Sequence, residues 1–254
     1  MKTRKLMYAA LAAILLSMTS FGYDSGMPIN KGEKELYEIR TYEIKFGGDQ
    51  QILIDYLKNV LQPTLKRIGV NHFMLFNELG DSNPTKIWAI ISYPNSQIYI
   101  DSQNLDVDPL YNKEAASYNA ISQDDSVYNR FTSSLLLAFD GMPNMLDPII
   151  GASLFELRTY EGYSEDAVRR KIDMFNIEEI DLFLKTNLHP VFFGEMIIGP
   201  HRPCLTYMLN FKDMNEHDAS WKAFVNHPEW KVMSAKKEYA NSVSNIRKVF
   251  LKPL

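Results

Sequence analysis

Two stretches of this chain carry residue types that could do chemistry together. They are Glu38-x-Arg40-x-Tyr42 and Glu156-x-Arg158-x-Tyr160. In each, a guanidinium offers a rigid fork of donors, and a carboxylate two residues away can orient it or take a proton. Such a set suits an anion or a carbonyl oxygen. It equally suits a structural ion pair that glues two layers together, because ion-pair networks also occur where nothing is bound or transformed.

The two stretches belong to a repeat. Leu36–Glu43 reads LYEIRTYE and Leu154–Glu161 reads LFELRTYE, 118 residues later. That spacing is long enough for each copy to open a complete small module. Both octapeptides alternate with the period of two that a strand requires. If helices cover the apolar side (Tyr37, Ile39, Phe155, Leu157), the Glu, Arg and Tyr side chains of both copies face the opposite way and converge.

The elements that must position them follow in the same order twice. In the first module, Asp49 caps a helix whose apolar stripe runs through Leu53, Leu57 and Leu61, and Gly69 ends it. Val70–Leu79 and Lys86–Tyr93 are strands joined across Asp81-Ser82-Asn83-Pro84. Asp108-Pro109 opens a helix to about Ala120, and Phe131–Phe139 is the last strand. In the second module Ser164 caps the helix, strands follow at 190–198 and 205–211, Asp213 and His227-Pro228 start helices, and 243–251 closes the sheet. The order βαββαβ, twice, is the ferredoxin-like plan. The expected fold class is α+β, two tandem ferredoxin-like modules packed sheet to sheet as an intrachain α/β barrel. The divisions are 1–22 signal peptide, 23–34 leader arm, 35–142 first module, 143–153 linker and 154–254 second module.

Lys2, Arg4 and Lys5 precede an apolar run, Leu6–Met18, too short to span a bilayer, which reads as a secretory signal. Localisation is then periplasmic or extracellular. The net charge of −4 becomes −7 once those three cations are removed, which argues against nucleic-acid or anionic-membrane partners. Cys204 is alone, so no intrachain disulfide forms.

LRTYE, PVFFGEMIIGP, LTYMLNF and WKAFVNHPEW resemble a bacterial member of the NIPSNAP family, most specifically over 154–254. The resemblance implies the dimeric α/β-barrel fold, which small cofactor-free monooxygenases and haem-degrading proteins share. It implies no particular reaction, since fold and function separate.

The ligand-pocket candidates are therefore Arg158, Glu156, Tyr160, Glu195, Arg40, Glu38 and Tyr42. Glu195 enters because it follows Phe192-Phe193-Gly194, where flanking aromatics would desolvate it. His201, His217 and His227 lack metal-ligand spacing, so no metal and no cofactor is expected. Trp221, Phe224 and Trp230 follow helical spacing and read as core. Two functional readings stay open. One is a barrel interior that binds or converts a small anionic or carbonyl-bearing molecule, by monooxygenase-like or acid/base chemistry if it is an enzyme. The other is an interaction module that uses its outer surface. Homo-oligomerisation is compatible with either. Mass spectrometry of the exported protein should find a mature N-terminus near Gly22, and an intact Met1 in that fraction would refute export by cleavage.

Overall fold

The computed structural model describes residues 33–80 and 82–254. The stretch expected to be a signal peptide, 1–22, and nearly all of that expected to be a leader arm, 23–34, lie outside the described residues.

The first module contains strand β1 (Leu36–Ile44) and then helix α1 (Gln50–Tyr56), which passes through a π-helical turn at Leu57–Leu61 into α2 (Gln62–Arg67). Strands β2 (His72–Glu78) and β3 (Lys86–Tyr93) form a hairpin. Short helices α3 (Ser96–Asp101), α4 (Pro109–Glu114) and α5 (Ala116–Asn119) lead to β4 (Tyr128–Ala138). The second module has β5 (Leu154–Glu161), α6 (Glu165–Met174), a π-helical turn at Phe175–Glu179 and α7 (Ile180–Lys185). Strands β6 (His189–Ile198) and β7 (Cys204–Phe211), helices α8 (Met214–Asn226) and α9 (Pro228–Ser234), and strand β8 (Asn245–Pro253) complete it. The caps act as their types require. Asp49, Asp108, Ser164 and Asp213 each accept a backbone N–H from the first turn of their helix.

Two local features differ from expectation. The helix expected from Asp108 to Ala120 breaks at Ala115 into α4 and α5, and Asn95 caps an additional helix, α3. Both π-helical turns lie at one offset, 118 residues apart, so the duplication preserves even this irregularity.

Among the described residues, eight strands close in the order β1-β3-β2-β8-β5-β7-β6-β4, each antiparallel to both neighbours. Each module contributes four consecutive strands. The seams between modules are short: three residue pairs join β2 to β8 and four join β4 to β6.

Eight strands leave an interior only wide enough for side chains to fill. Tyr37 and Ile39 of β1, Phe76 of β2, Phe155 and Leu157 of β5, and Phe192 of β6 belong to one buried cluster inside the barrel. Two ring pairs cross between modules, Tyr37 with Phe192 at 4.9 Å and Phe76 with Phe155 at 4.8 Å. Each module also has its own core between sheet and helices. Leu53, Leu57, Leu61 and Leu65 fill it in the first, and Phe175, Phe183, Tyr207 and Phe224 in the second.

The segment between β4 and β5 is held by hydrogen bonds along its length. The buried Glu35 carboxylate accepts from Met145 N at 2.6 Å, Leu146 N donates to Val191 O, and Ile149 N donates to Asn210 Oδ1. Because the central cluster is common to both halves, Phe192→Ala should lower stability by about 3–5 kcal/mol. Thermal unfolding should remain a single transition, and two separated transitions would show that the halves have independent cores.

Candidate functional site

The parity expected for the Glu-x-Arg-x-Tyr stretches is reversed. Tyr37, Ile39, Phe155 and Leu157 point into the barrel, and Glu38, Arg40, Tyr42, Glu156, Arg158 and Tyr160 lie on the outer face beneath the helices. The reason is that β1 and β5 are buried on both faces, so neither face is marked by solvent. The narrow interior takes the apolar side chains, and the helix layer supplies polar partners for the charges.

In the second module those partners come chiefly from helix α8. Glu156, with no exposed surface, accepts the Trp221 indole N–H at 2.9 Å and faces His217 Nε2 at 3.3 Å. Its other oxygen is 3.0 Å from Arg158 Nε, an ion pair whose angle falls short of a hydrogen bond. The Trp221 ring stacks over the Arg158 guanidinium, 4.1 Å from Cζ to centroid. Behind it, the Tyr207 hydroxyl donates to Tyr160 at 2.9 Å, and Lys171 donates to the buried Glu179 at 2.6 Å. Burial pushes the Glu179 carboxyl up, and Lys171 offsets part of that. Trp221, Phe224 and Trp230 thus form the helix-side core that their spacing suggests.

In the first module, Arg40 makes a two-pronged contact with Glu38, Nε to Oε1 at 2.8 Å and Nη2 to Oε2 at 2.9 Å. Tyr93 and Ser133 hydroxyls donate to the same carboxylate at 2.7 and 2.6 Å. Burial pushes the Glu38 carboxyl up, but Arg40 and these donors outweigh it and hold it below the usual carboxylate range. Tyr42 stacks on Phe131 at 5.1 Å.

Glu195 is exposed rather than desolvated. A register shift between Pro190 and Phe192 turns Phe192 inward and leaves Glu195 on the outer face beside the β4–β6 seam. Cys204 is buried 3.6 Å from Met196 Sδ, and burial pushes its thiol up to about 11, so it stays protonated at neutral pH. Among the described residues, no group of three or more His, Cys, Asp or Glu side chains is placed to hold a metal ion.

What does face inward at one end of the barrel is a belt of hydroxyls. Thr41 lies directly opposite Thr132, Ser134 opposite Ile39, and Thr159 and Thr206 join oxygens at 2.8 Å. They line a cup of about 360 Å³ whose floor includes Ile39, Leu157, Met196 and Val249. Charges ring its mouth. Arg247 donates to Glu161, whose carboxyl it holds below the usual range, and Asn245 donates to the same group at 3.0 Å. Lys86 is 3.8 Å from Glu78, which also accepts the Trp88 indole N–H at 3.0 Å. These residues are absent from the sequence-based candidates, although a signal for them exists. Thr41-x-Glu43 and Thr159-x-Glu161 recur in both octapeptides on the parity that turns out to face inward.

The closed barrel and its two ferredoxin-like halves place the chain in the dimeric α/β-barrel fold class, with both halves in one polypeptide. The second half carries a NIPSNAP domain: residues 155–254 match the sequence model of the NIPSNAP family. The fold is similar to that of a candidate monooxygenase from Lactobacillus acidophilus NCFM, with 12% identity, TM-score 0.58, and 87% of this chain and 94% of that one covered. It is likewise similar to a candidate monooxygenase from Fusobacterium nucleatum, at 10% identity and TM-score 0.57, covering 87% and 93%. A NIPSNAP family protein of unknown function from Agrobacterium tumefaciens matches 42% of this chain and 94% of its own, at 15% identity and TM-score 0.36. No curated protein sequence matches significantly. Among the described residues no helix is long and apolar enough to cross a membrane.

The Glu38–Arg40 pair gives a direct test. Glu38→Gln leaves Arg40 buried without its counter-charge and should cost on the order of 3 kcal/mol at pH 7. Since the folded carboxyl titrates below its ordinary value near 4.5, the pair stabilises fully above that pH and loses this contribution as pH falls through the lowered value. Urea unfolding should therefore show the gap between wild type and variant closing in acid. A gap independent of pH would mean that the carboxylate charge is not what matters.

Proposed function

We propose that the protein binds a small carbonyl- or carboxylate-bearing molecule in the hydroxyl-lined cup at the barrel mouth, and that it does so outside the cytoplasm. The observation that carries this reading is the belt of Thr41, Thr132, Ser134, Thr159 and Thr206 above an apolar floor. Hydroxyls there can donate to a ligand oxygen while the floor takes its hydrocarbon part, the usual division of labour in ligand pockets. Arg247 at the rim adds a charged fork, which a ligand carboxylate would share with or take from Glu161. The volume suits a small molecule. The family match and the barrel neighbours support a small-molecule-binding barrel, and the basic and apolar start of the sequence supports export.

The reading is of a binder rather than a catalyst. The Thr159 and Thr206 hydroxyls pair with each other and not with a base, so neither is activated as a nucleophile. An interaction module would need no cup at all, and the rings of Tyr37, Phe76, Phe155 and Phe192 fill the barrel interior below it, while among the described residues Trp88 alone supplies a Phe, Tyr or Trp ring to the cup's own lining.

Native mass spectrometry of the purified full chain tests this. The wild type should carry a small-molecule adduct. Thr132→Trp, which plugs the cup from a solvent-exposed rim position, should lose it. Arg247→Ala should weaken retention about tenfold, the equivalent of one charge-assisted hydrogen bond. A wild type with no adduct, or an adduct retained undiminished by Thr132→Trp, would refute the cup as the site.

A further inference from the structure

Strand β4 runs past the end of the strand that covers one of its edges. It pairs with β1 from Tyr128 to Leu137, but its ladder with β6 stops at Leu135, opposite Ile198. Beyond that point Asn129 to Ser133 are all exposed, on both faces of the strand. Antiparallel hydrogen bonds alternate from one edge to the other along a strand. Ala138 N–H donates to Glu35 O on the β1 side and Phe139 N–H to Phe193 O on the β6 side, so even-numbered positions of β4 bond β1 and odd-numbered ones turn toward β6. The Asn129 carbonyl accepts from Arg130 Nη1 at 2.6 Å. The N–H and C=O groups of Phe131 and Ser133 are left along a free edge, with no backbone partner among the described residues.

The second module has the same overhang and guards it. β8 meets β2 only from Leu251 to Pro253, and Phe131 and Ile246 correspond, lying opposite Tyr42 and Tyr160. Where β4 continues with Thr132 and Ser133, β8 continues with Arg247 and Lys248. Cations on an edge are a common guard against pairing with another chain, because two such edges brought together oppose like charges. β4 lacks that guard at the same positions.

A free edge accepts a strand, and this one is complementary to a second copy of itself. With two β4 edges antiparallel about a twofold axis between their Thr132 residues, each Phe131 exchanges its backbone hydrogen bonds with Ser133 of the other copy, and all the free groups are used. Thr132 then faces Thr132 of the other copy, a favourable cross-strand pair, and Arg130 faces Ser134. Moving the axis to Arg130 would oppose two guanidinium groups, and the matching pairing of two β8 edges would oppose Arg247 with Arg247. Charge thus selects the β4 edges and fixes their register.

We propose that the protein forms a twofold dimer in which β4 of one copy pairs with β4 of a second through Phe131 and Ser133. Barrel closure is complete within each chain, so this contact joins two finished barrels. It also brings Arg130 of one copy beside Ser134, in the cup lining of the other.

Sedimentation velocity and light scattering of the purified chain test this. Wild type should show twice the chain mass at micromolar concentration. Thr132→Lys and Thr132→Glu each set like charges opposite one another across the axis and should raise the dissociation constant at least about tenfold. An equimolar mixture of the two should restore the dimer, since Lys then meets Glu. Thr132→Cys, which keeps the side chain small, should link two chains by a disulfide on mild oxidation, whereas wild type, whose Cys204 is buried, should not. Lys248→Glu, on the β8 edge, should leave the dimer unchanged. The proposal is overturned by a wild type that stays monomeric, by a dimer indifferent to both charged variants at position 132 or sensitive to Lys248→Glu, by a mixture that does not recover, by Thr132→Cys chains that do not link, or by assemblies that grow past the dimer.

Discussion

The contact on which the rest of this structure depends is the packing of rings across the barrel axis, Tyr37 on Phe192 and Phe76 on Phe155. Each pair takes one ring from either module. A four-stranded sheet with helices on one face has a second face that must be covered, and here each sheet covers the other. The hydrogen-bonded seams are too short to hold the halves alone, so apolar burial along the axis carries the association. It also fixes where a ligand can go. The rings fill the middle, and open space is left at the mouth, where the inward positions change to threonine.

The same narrowness decides the fate of the charges. With the interior given to aromatic and aliphatic side chains, Glu38, Arg40, Glu156 and Arg158 are displaced to the helix side, where charge is tolerable only if every lone pair and proton finds a partner. The two modules approach that condition differently. Two hydroxyls, Tyr93 and Ser133, complete the first carboxylate, whereas an indole and an imidazole serve one oxygen of the second and its other oxygen meets Arg158 Nε as an ion pair without a hydrogen bond.

Much of the architecture was legible in the sequence because the octapeptide occurs twice and the cap residues Asp49, Asp108, Ser164 and Asp213 mark helix starts on physical grounds. The site was less legible. Alternation tells which residues share a face of β1 and β5, but with both faces buried it does not tell which face is the barrel's. The rule that charge avoids a core pointed the wrong way, since the outer face here is a second core. Glu195 was misplaced for a different reason. One extra residue in β6 shifts the register, and nothing in PVFFGE announces it. The π-helical turns and the break at Ala115 were similarly unmarked, being consequences of packing rather than of propensity.

The stitched segment between β4 and β5 changes what dilution can do to this barrel. A barrel assembled from two separate single-module chains comes apart as concentration falls, because its closure is a bimolecular equilibrium. Here closure is intramolecular, with each half held at an effective concentration on the order of millimolar or above for the other. The Glu35 carboxylate tightens that tether by holding Met145 N, midway along the segment, against the start of β1. The cup, whose wall takes Thr41 and Thr132 from one half and Thr159 and Thr206 from the other, therefore stays assembled however scarce the protein becomes.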